Sequence, residues 1–148
     1  MTSCRSVRPS VRAIVLHEGR ILVQKPTDDP DACYAFIGGG YEAGDTLIGR
    51  LKLEFEEETN ATVVACRYLF VVENRGRVGG ELCQSLDHFF RVTLDRVDVQ
   101  SREAHLQQHW LSVSRLGTYD LRPRIVRDAI AEGRLSQVRH LVVPLDDG

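Results

Sequence analysis

GGGYEAGDTLIGRLKLEFEEETNATV, Gly38 to Val63, is the stretch on which the reading of this chain turns. Its opening glycines, Gly38, Gly39 and Gly40, exclude regular helix and point to backbone shaped for close approach. Thr46 then has the position of a helix N-cap. Behind it Leu47, Ile48, Leu51 and Phe55 recur at helical spacing, so the segment predicts an amphipathic helix with one packed face. Asn60 is expected to stop that helix in a left-handed C′ conformation.

The helix is crowded with acid: Glu54, Glu56, Glu57 and Glu58. At about 100° per residue, Glu54, Glu57 and Glu58 fall on one side and Glu56 on the other. The shared side borders the apolar arc, so its carboxylates are expected to be partly desolvated and mutually repulsive unless a cation neutralises them. Carboxylates at i, i+3 and i+4 suit a hard divalent ion with oxygen ligands. A solvated acidic face is the plainer alternative. The glycine loop favours the cation, because backbone N–H groups there can approach a phosphate. Mg²⁺ bound through few carboxylates and a substrate's phosphates is the expected chemistry.

Outward from this segment, VRAIVLHEGRILVQK reads as a β-hairpin turning at Gly19. TVVACRYLFVVE and LCQSLDHFFRVTL read as strands, joined by NRGRVGGE as a hairpin tip. Arg75 and Arg77 at such a tip are read as solubilising charge, and of Asp87 and His88 one is expected to face a cleft or a partner. HWLSVSRL is a shorter strand, and RPRIVRDAIAEGR a second helix with Pro123 near its first turn and Gly133 near its end. The element order predicts one α/β domain over residues 1–148 with a mixed sheet, residues 1–8 being a flexible N-terminus.

The composition bounds the function. The 148 residues are 43% hydrophobic and 27% charged, with a net charge near −2, which gives no basic footprint for duplex nucleic acid. No apolar run approaches a membrane span, and no secretory leader is evident. The 4 cysteines form no C-x-x-C pair, so reduced thiols and a cytoplasmic location are expected.

The same residues resemble the Nudix box, G-x5-E-x7-R-E-U-x-E-E-x-G-U, where U is a bulky aliphatic. Gly39, Glu54, Glu57 and Glu58 match it, and Phe36, Gly38, Gly40, Gly44 and Thr46 fit its usual surroundings. Asp45 replaces the first glutamate, Leu53 the arginine, Asn60 the later glycine and Ala61 the last aliphatic. The resemblance implies a Nudix fold, a mixed β-sheet sandwiched between helices. It also implies Mg²⁺- or Mn²⁺-dependent hydrolysis of a pyrophosphate bond in a nucleoside diphosphate linked to another moiety.

On that basis Glu54, Glu57 and Glu58 are the expected metal ligands and catalytic residues. Gly38, Gly39 and Gly40 are the expected diphosphate contacts, and Glu103 is a further candidate ligand ahead of the strand HWLSV. A homodimer is common in the family. Leu53 removes the arginine that holds the glutamates, which predicts a weakened enzyme or a substitute arginine. The competing reading is a Nudix-fold nucleotide-binding or regulatory module with little turnover, supported by Leu53 and Asp45.

Overall fold

Along RPSVRAI the side chains alternate across a strand, β1 (Arg8–Ile14): Val11 and Ala13 face one core and Ile14 the other. A computed structural model describes residues 6–145 and places β1 inside a mixed five-stranded sheet. The sheet's edge strand, β5 (Gly38–Gly40), is antiparallel to β1. On the other side β1 runs parallel to β7 (Glu81–Leu94), which pairs antiparallel with β6 (Val63–Val78), and β10 (His140–Val142) closes the sheet parallel to β6. A smaller sheet is built around β3 (Arg20–Pro26). Its neighbours β2 (Leu16–His17), β4 (Tyr34–Ala35) and β8 (Leu106–Ser112) are antiparallel to it, and β9 (Leu121–Arg122) lies parallel to β4.

Helix α1 (Leu47–Glu58) packs Leu51 and Phe55, both fully buried, against Val11, Ala13, Phe90 and Val92. Truncating Phe55 to alanine there is expected to cost about 3–5 kcal/mol. Across the sheet a second core joins Ile14, Phe70 and Phe89 to Ile21 and Val23 of β3. Val126, Ala129 and Ile130 of α2 (Arg124–Ala131) complete it. The molecule is thus a single domain in which the mixed sheet has α1 on one face and α2 with the smaller sheet on the other. No helix among the described residues is long and apolar enough to cross a membrane.

Several expectations are met in detail. Glu18 and Gly19 turn the first hairpin at positive φ, 48° and 76°. Thr46 caps α1, its Oγ1 accepting from the Gly49 N–H at 3.0 Å. Pro123 precedes α2, and Gly133 follows it at φ 68°.

Others are corrected. Asn60 is not left-handed: α1 ends at an extended Thr59, whose hydroxyl donates to the Phe55 carbonyl at 2.8 Å. Ile48 is exposed, whereas Leu47 beside it packs against the core. The long hairpin turns only at Gly79 and Gly80, and Arg75, Gly76 and Arg77 belong to the β6–β7 ladder rather than to a loop. Cys33 and Cys66 are free thiols, whereas Cys83 is disulfide-bonded, against the expectation of reduced thiols. Of the N-terminal segment, residues 1–5 lie outside those described, and Arg8 already begins β1.

Candidate functional site

Asp45 precedes the capped end of α1 and closes a turn there, its Oδ2 accepting from the Glu42 N–H at 2.9 Å. One turn into the helix, Arg50 reaches back to it with both edges of its fork. Nε meets Oδ2 at 2.8 Å and Nη2 meets Oδ1 at 3.2 Å. The remaining Nη1 donates to Glu54 Oε1 at 3.4 Å, four residues on. Bidentate, charge-assisted contacts of this kind fix geometry as well as charge. Arg50 holds the Asp45 carboxyl below its ordinary range, and the Arg50 guanidinium is itself raised by the pair.

The departures at Asp45 and Leu53 are therefore linked. The arginine that position 53 lacks is present one turn earlier, where it ties the loop acid to the helix acid. Leu53 itself is half-buried. Helical spacing brings Arg50 to Glu54 at i, i+4, but it does not reveal Asp45, which lies ahead of the cap.

Glu54 is buried and sits against Gly39, where any β-carbon would run into its carboxylate. Burial raises its carboxyl above the ordinary range, opposed by the Arg50 hydrogen bond and reinforced by Glu57. Glu57 is exposed, against the expectation that it is partly desolvated beside Glu54 and Glu58, and Glu56 is exposed as well. Glu58 is half-buried, and its Oε2 has no hydrogen-bond partner. Burial, then the charge of Glu54 and more weakly those of Glu103 and Glu57, push the Glu58 carboxyl up to about 7, against the pull of Arg12.

Glu103 reaches this neighbourhood because its loop is stitched to the end of α1. The Arg102 N–H donates to the Glu58 carbonyl at 2.7 Å, and Arg102 Nη1 to the Glu56 carbonyl at 3.1 Å. Asn60 Oδ1 accepts from the Gln100 N–H at 2.9 Å, and its Nδ2 donates to the Asp98 carbonyl at 3.3 Å. Asn60 thus serves through its side chain, anchoring the Glu103 loop. Glu103 is half-buried, with His105 Nδ1 at 4.0 Å.

Among the described residues, no group of three or more His, Cys, Asp or Glu side chains is gathered as a ligand set. The fit of a divalent cation rests instead on donor chemistry. Glu54, Glu57, Glu58 and Glu103 supply only oxygen donors, and the buried Glu58 Oε2 lacks any partner. Hard oxygen donors of this kind suit Mg²⁺.

The glycines have packing reasons of their own. A β-carbon on Gly38 would collide with the Val11 carbonyl across the β1–β5 ladder, and one on Gly39 with Glu54. Gly40 is less confined, a β-carbon there meeting Arg8 Nη2 at 3.1 Å. It also lines a cavity of about 610 Å³ on the sheet face opposite α1. Arginines surround that cavity: Arg8 and Arg12 of β1, Arg77 of β6, Arg122 of β9 and Arg124 of α2. Asp87 lies in its wall, 4% exposed, accepting from Ser10 Oγ at 2.7 Å and from Asn74 Nδ2 at 3.0 Å. His88 points the other way, to the Tyr68 hydroxyl at 2.9 Å. Arg75 is turned to the Val143 carbonyl at 3.2 Å.

No protein-family model matches the sequence, and no curated protein matches it. The structure does resemble solved ones. A Nudix hydrolase from Nitrosomonas europaea superposes with a TM-score of 0.68 at 19% identity, covering 94% of this chain and 79% of that one. A MutT protein from Methanosarcina mazei gives 0.68 at 21% identity, covering 85% and 91%. The Nudix domain of Shewanella oneidensis NrtR, solved with ADP-ribose, gives 0.68 at 16% identity, covering 88% and 89%.

Proposed function

With the Nudix fold as the premise, we propose that this chain is a divalent-metal-dependent hydrolase of a pyrophosphate bond in a nucleotide derivative. The observation that carries the proposal is the Asp45–Arg50–Glu54 network. It supplies, from a different position, the arginine whose loss at Leu53 was the main argument against activity. In this reading Glu54, Glu57 and Glu58 would hold Mg²⁺ or Mn²⁺, with Glu103 as a further ligand. Bound metal would neutralise phosphate charge and acidify the attacking water.

The chain's own residues do the rest. Arg50 holds the Glu54 carboxylate in one orientation, so that its free lone pairs face the ligand side. Glu54, or the loop carboxylate of Glu103, takes the proton of the attacking water. Gly38, Gly39 and Gly40 bring backbone close to the diphosphate, Gly40 being the one with room beside it. A homodimer belongs to the same proposal, whereas the disulfide at Cys83 removes the ground on which a cytoplasmic location was expected.

The test is Mg²⁺-dependent hydrolysis across nucleotide derivatives by the wild type, Glu57→Gln and Glu58→Gln. Equal rates in all three overturn the assignment. Two observations favour a second reading, a nucleotide-binding module. Among the described residues the carboxylates are not gathered as a ligand set, and a neighbour of the same fold was solved with ADP-ribose. Thermal stabilisation by a nucleotide without any turnover would select that reading.

A further inference from the structure

Among the described residues, Asp87 is the buried acid that the α1 site does not use. It stands in β7 opposite Ser10 of β1 and Val72 of β6, and it lines the cavity together with Phe89. Val72 and Phe89 are fully buried, so the carboxylate sits where the apolar core begins. Its Oδ1 accepts from Ser10 Oγ and its Oδ2 from Asn74 Nδ2, both neutral donors. Arginines line the same cavity, yet among the described residues none forms an ion pair with Asp87. A carboxylate removed from water costs several kcal/mol unless its acceptor sites are filled. Each oxygen accepts two hydrogen bonds, so each keeps one acceptor site beyond the bond it makes. Ser10 and Asn74 therefore fix the orientation of the group without saturating it.

We propose that Asp87 is the specificity-determining residue of this cavity, accepting from two adjacent hydrogen-bond donors on one ligand, with Ser10 and Asn74 as its positioning residues. Two parts of a nucleotide present such a pair: the ring N–H and exocyclic amine of a guanine-type base, and the vicinal hydroxyls of a ribose. A ligand without the pair leaves a buried carboxylate unsatisfied and is rejected for that reason. At about 610 Å³ the cavity has the size of an ordinary small-molecule site, and Phe89 and Ile125 supply apolar wall for a ring. That the recognised group belongs to the molecule being cleaved rests on the hydrolase proposal; the contact to Asp87 rests on the cavity alone. The β5 edge connects the two places, because Gly39 abuts Glu54 on the α1 side and its neighbour Gly40 lines the cavity. A diphosphate beside α1 and a nucleoside beside Asp87 can thus be parts of one molecule. The substrate class is a nucleotide derivative whose base or ribose offers paired donors.

The experiment measures binding by titration calorimetry without metal, using two matched pairs that differ by one donor. GDP against IDP removes the exocyclic amine, and ADP against 2′-deoxy-ADP removes a ribose hydroxyl. The donor-rich member of at least one pair is expected to bind about tenfold or more tightly, the worth of a hydrogen bond to a charged group. Which pair responds identifies the base or the ribose as the recognised part. Asp87→Asn keeps the shape and turns one acceptor into a donor. It should bring the ratio to within about twofold of one by weakening the donor-rich member, whereas a collapsed cavity would weaken both members alike. Should Asp87→Asn fail to fold, Ser10→Ala removes one positioning bond and is expected to lower the ratio about threefold. Ratios near one for both pairs in the wild type overturn the proposal, as does a preference that these variants leave unchanged. A preference in binding without Mg²⁺-dependent hydrolysis sustains the role of Asp87 while overturning the hydrolase reading. Hydrolysis without preference does the reverse.

Discussion

At the β5 end of the main sheet the two faces differ in their charged side chains, carboxylates on one and guanidinium groups on the other. On one face α1 presents Glu54, Glu57 and Glu58, with Glu103 brought up beside them. On the other, five arginines surround a cavity. Apart from Glu103, the acidic face is built locally, from neighbouring residues on one helix. The basic face is assembled from β1, β6, β9 and α2, segments far apart in the chain. Arg12 links the two, lining the cavity while its charge lowers the carboxyls of Glu54 and Glu58. The difference teaches which face is forgiving. On the role proposed for Arg50, a local ion-pair network tolerates a shift of one helical turn, whereas the cavity depends on the register of β1 against β7 and of β6 against β7.

The sharpest way to break the comparison is to remove charge from the acidic face. Glu58→Gln is expected to lower Mg²⁺-dependent hydrolysis by about 10²-fold or more, the scale of losing a group in direct contact with the reaction. The same variant should leave the order of nucleotide binding, measured by calorimetry, as in the wild type. Collapse of both together would mean that the two faces are not separable.

Gly39→Ala tests the edge between them. Its β-carbon would displace the Glu54 carboxylate, so overpacking of about 1–3 kcal/mol is expected, read as a fall in Tm. An unchanged Tm would show that Glu54 is not confined there.

How much of this the sequence carries differs between the two faces. The helix, its Thr46 cap and the siding of the glutamates follow from local periodicity, and so do the Gly19 turn and the Pro123 and Gly133 boundaries of α2. The Arg50–Asp45 pair is not legible there, because helical spacing describes only helical residues and Asp45 precedes the cap. Asn60 reads as a helix stop because its backbone preference is visible in sequence, whereas its bonds to residues 98–100 are not. The cavity is illegible for the same reason. Arg77 is exposed as its sequence position suggests, but that it lies in a ladder running to Val78 is not legible, and Asp87 has no meaning until Ser10 lies beside it in the parallel β1–β7 pair.

A smaller effect concerns pH. A carboxyl raised in the folded state to about 7 favours folding while both states are protonated and loses that contribution as pH rises from the ordinary carboxylate range through 7. For metal-free protein, the Glu58 contribution to Tm should therefore decline between about pH 4.5 and 7.5. His88 and His109, lowered by burial, act in the opposite sense below their ordinary range. The contribution is read as the wild-type Tm minus that of Glu58→Gln across pH, at roughly 2–4 °C per kcal/mol for a domain near this size. A flat difference would place Glu58 in water. Added Mg²⁺ should raise Tm more at pH 8 than at pH 5.

The relocated arginine is the centre of the account, and rates of Mg²⁺-dependent hydrolysis test it directly in three variants: Arg50→Ala, Leu53→Arg and the two combined. Arg50→Ala is expected to lower kcat/KM by about 10–100-fold, the usual cost of losing a partner that orients a ligand. Leu53→Arg alone should change little, and in the Arg50→Ala background it should recover part of the loss. An Arg50→Ala enzyme as fast as the wild type, together with a faster Leu53→Arg, would contradict the account.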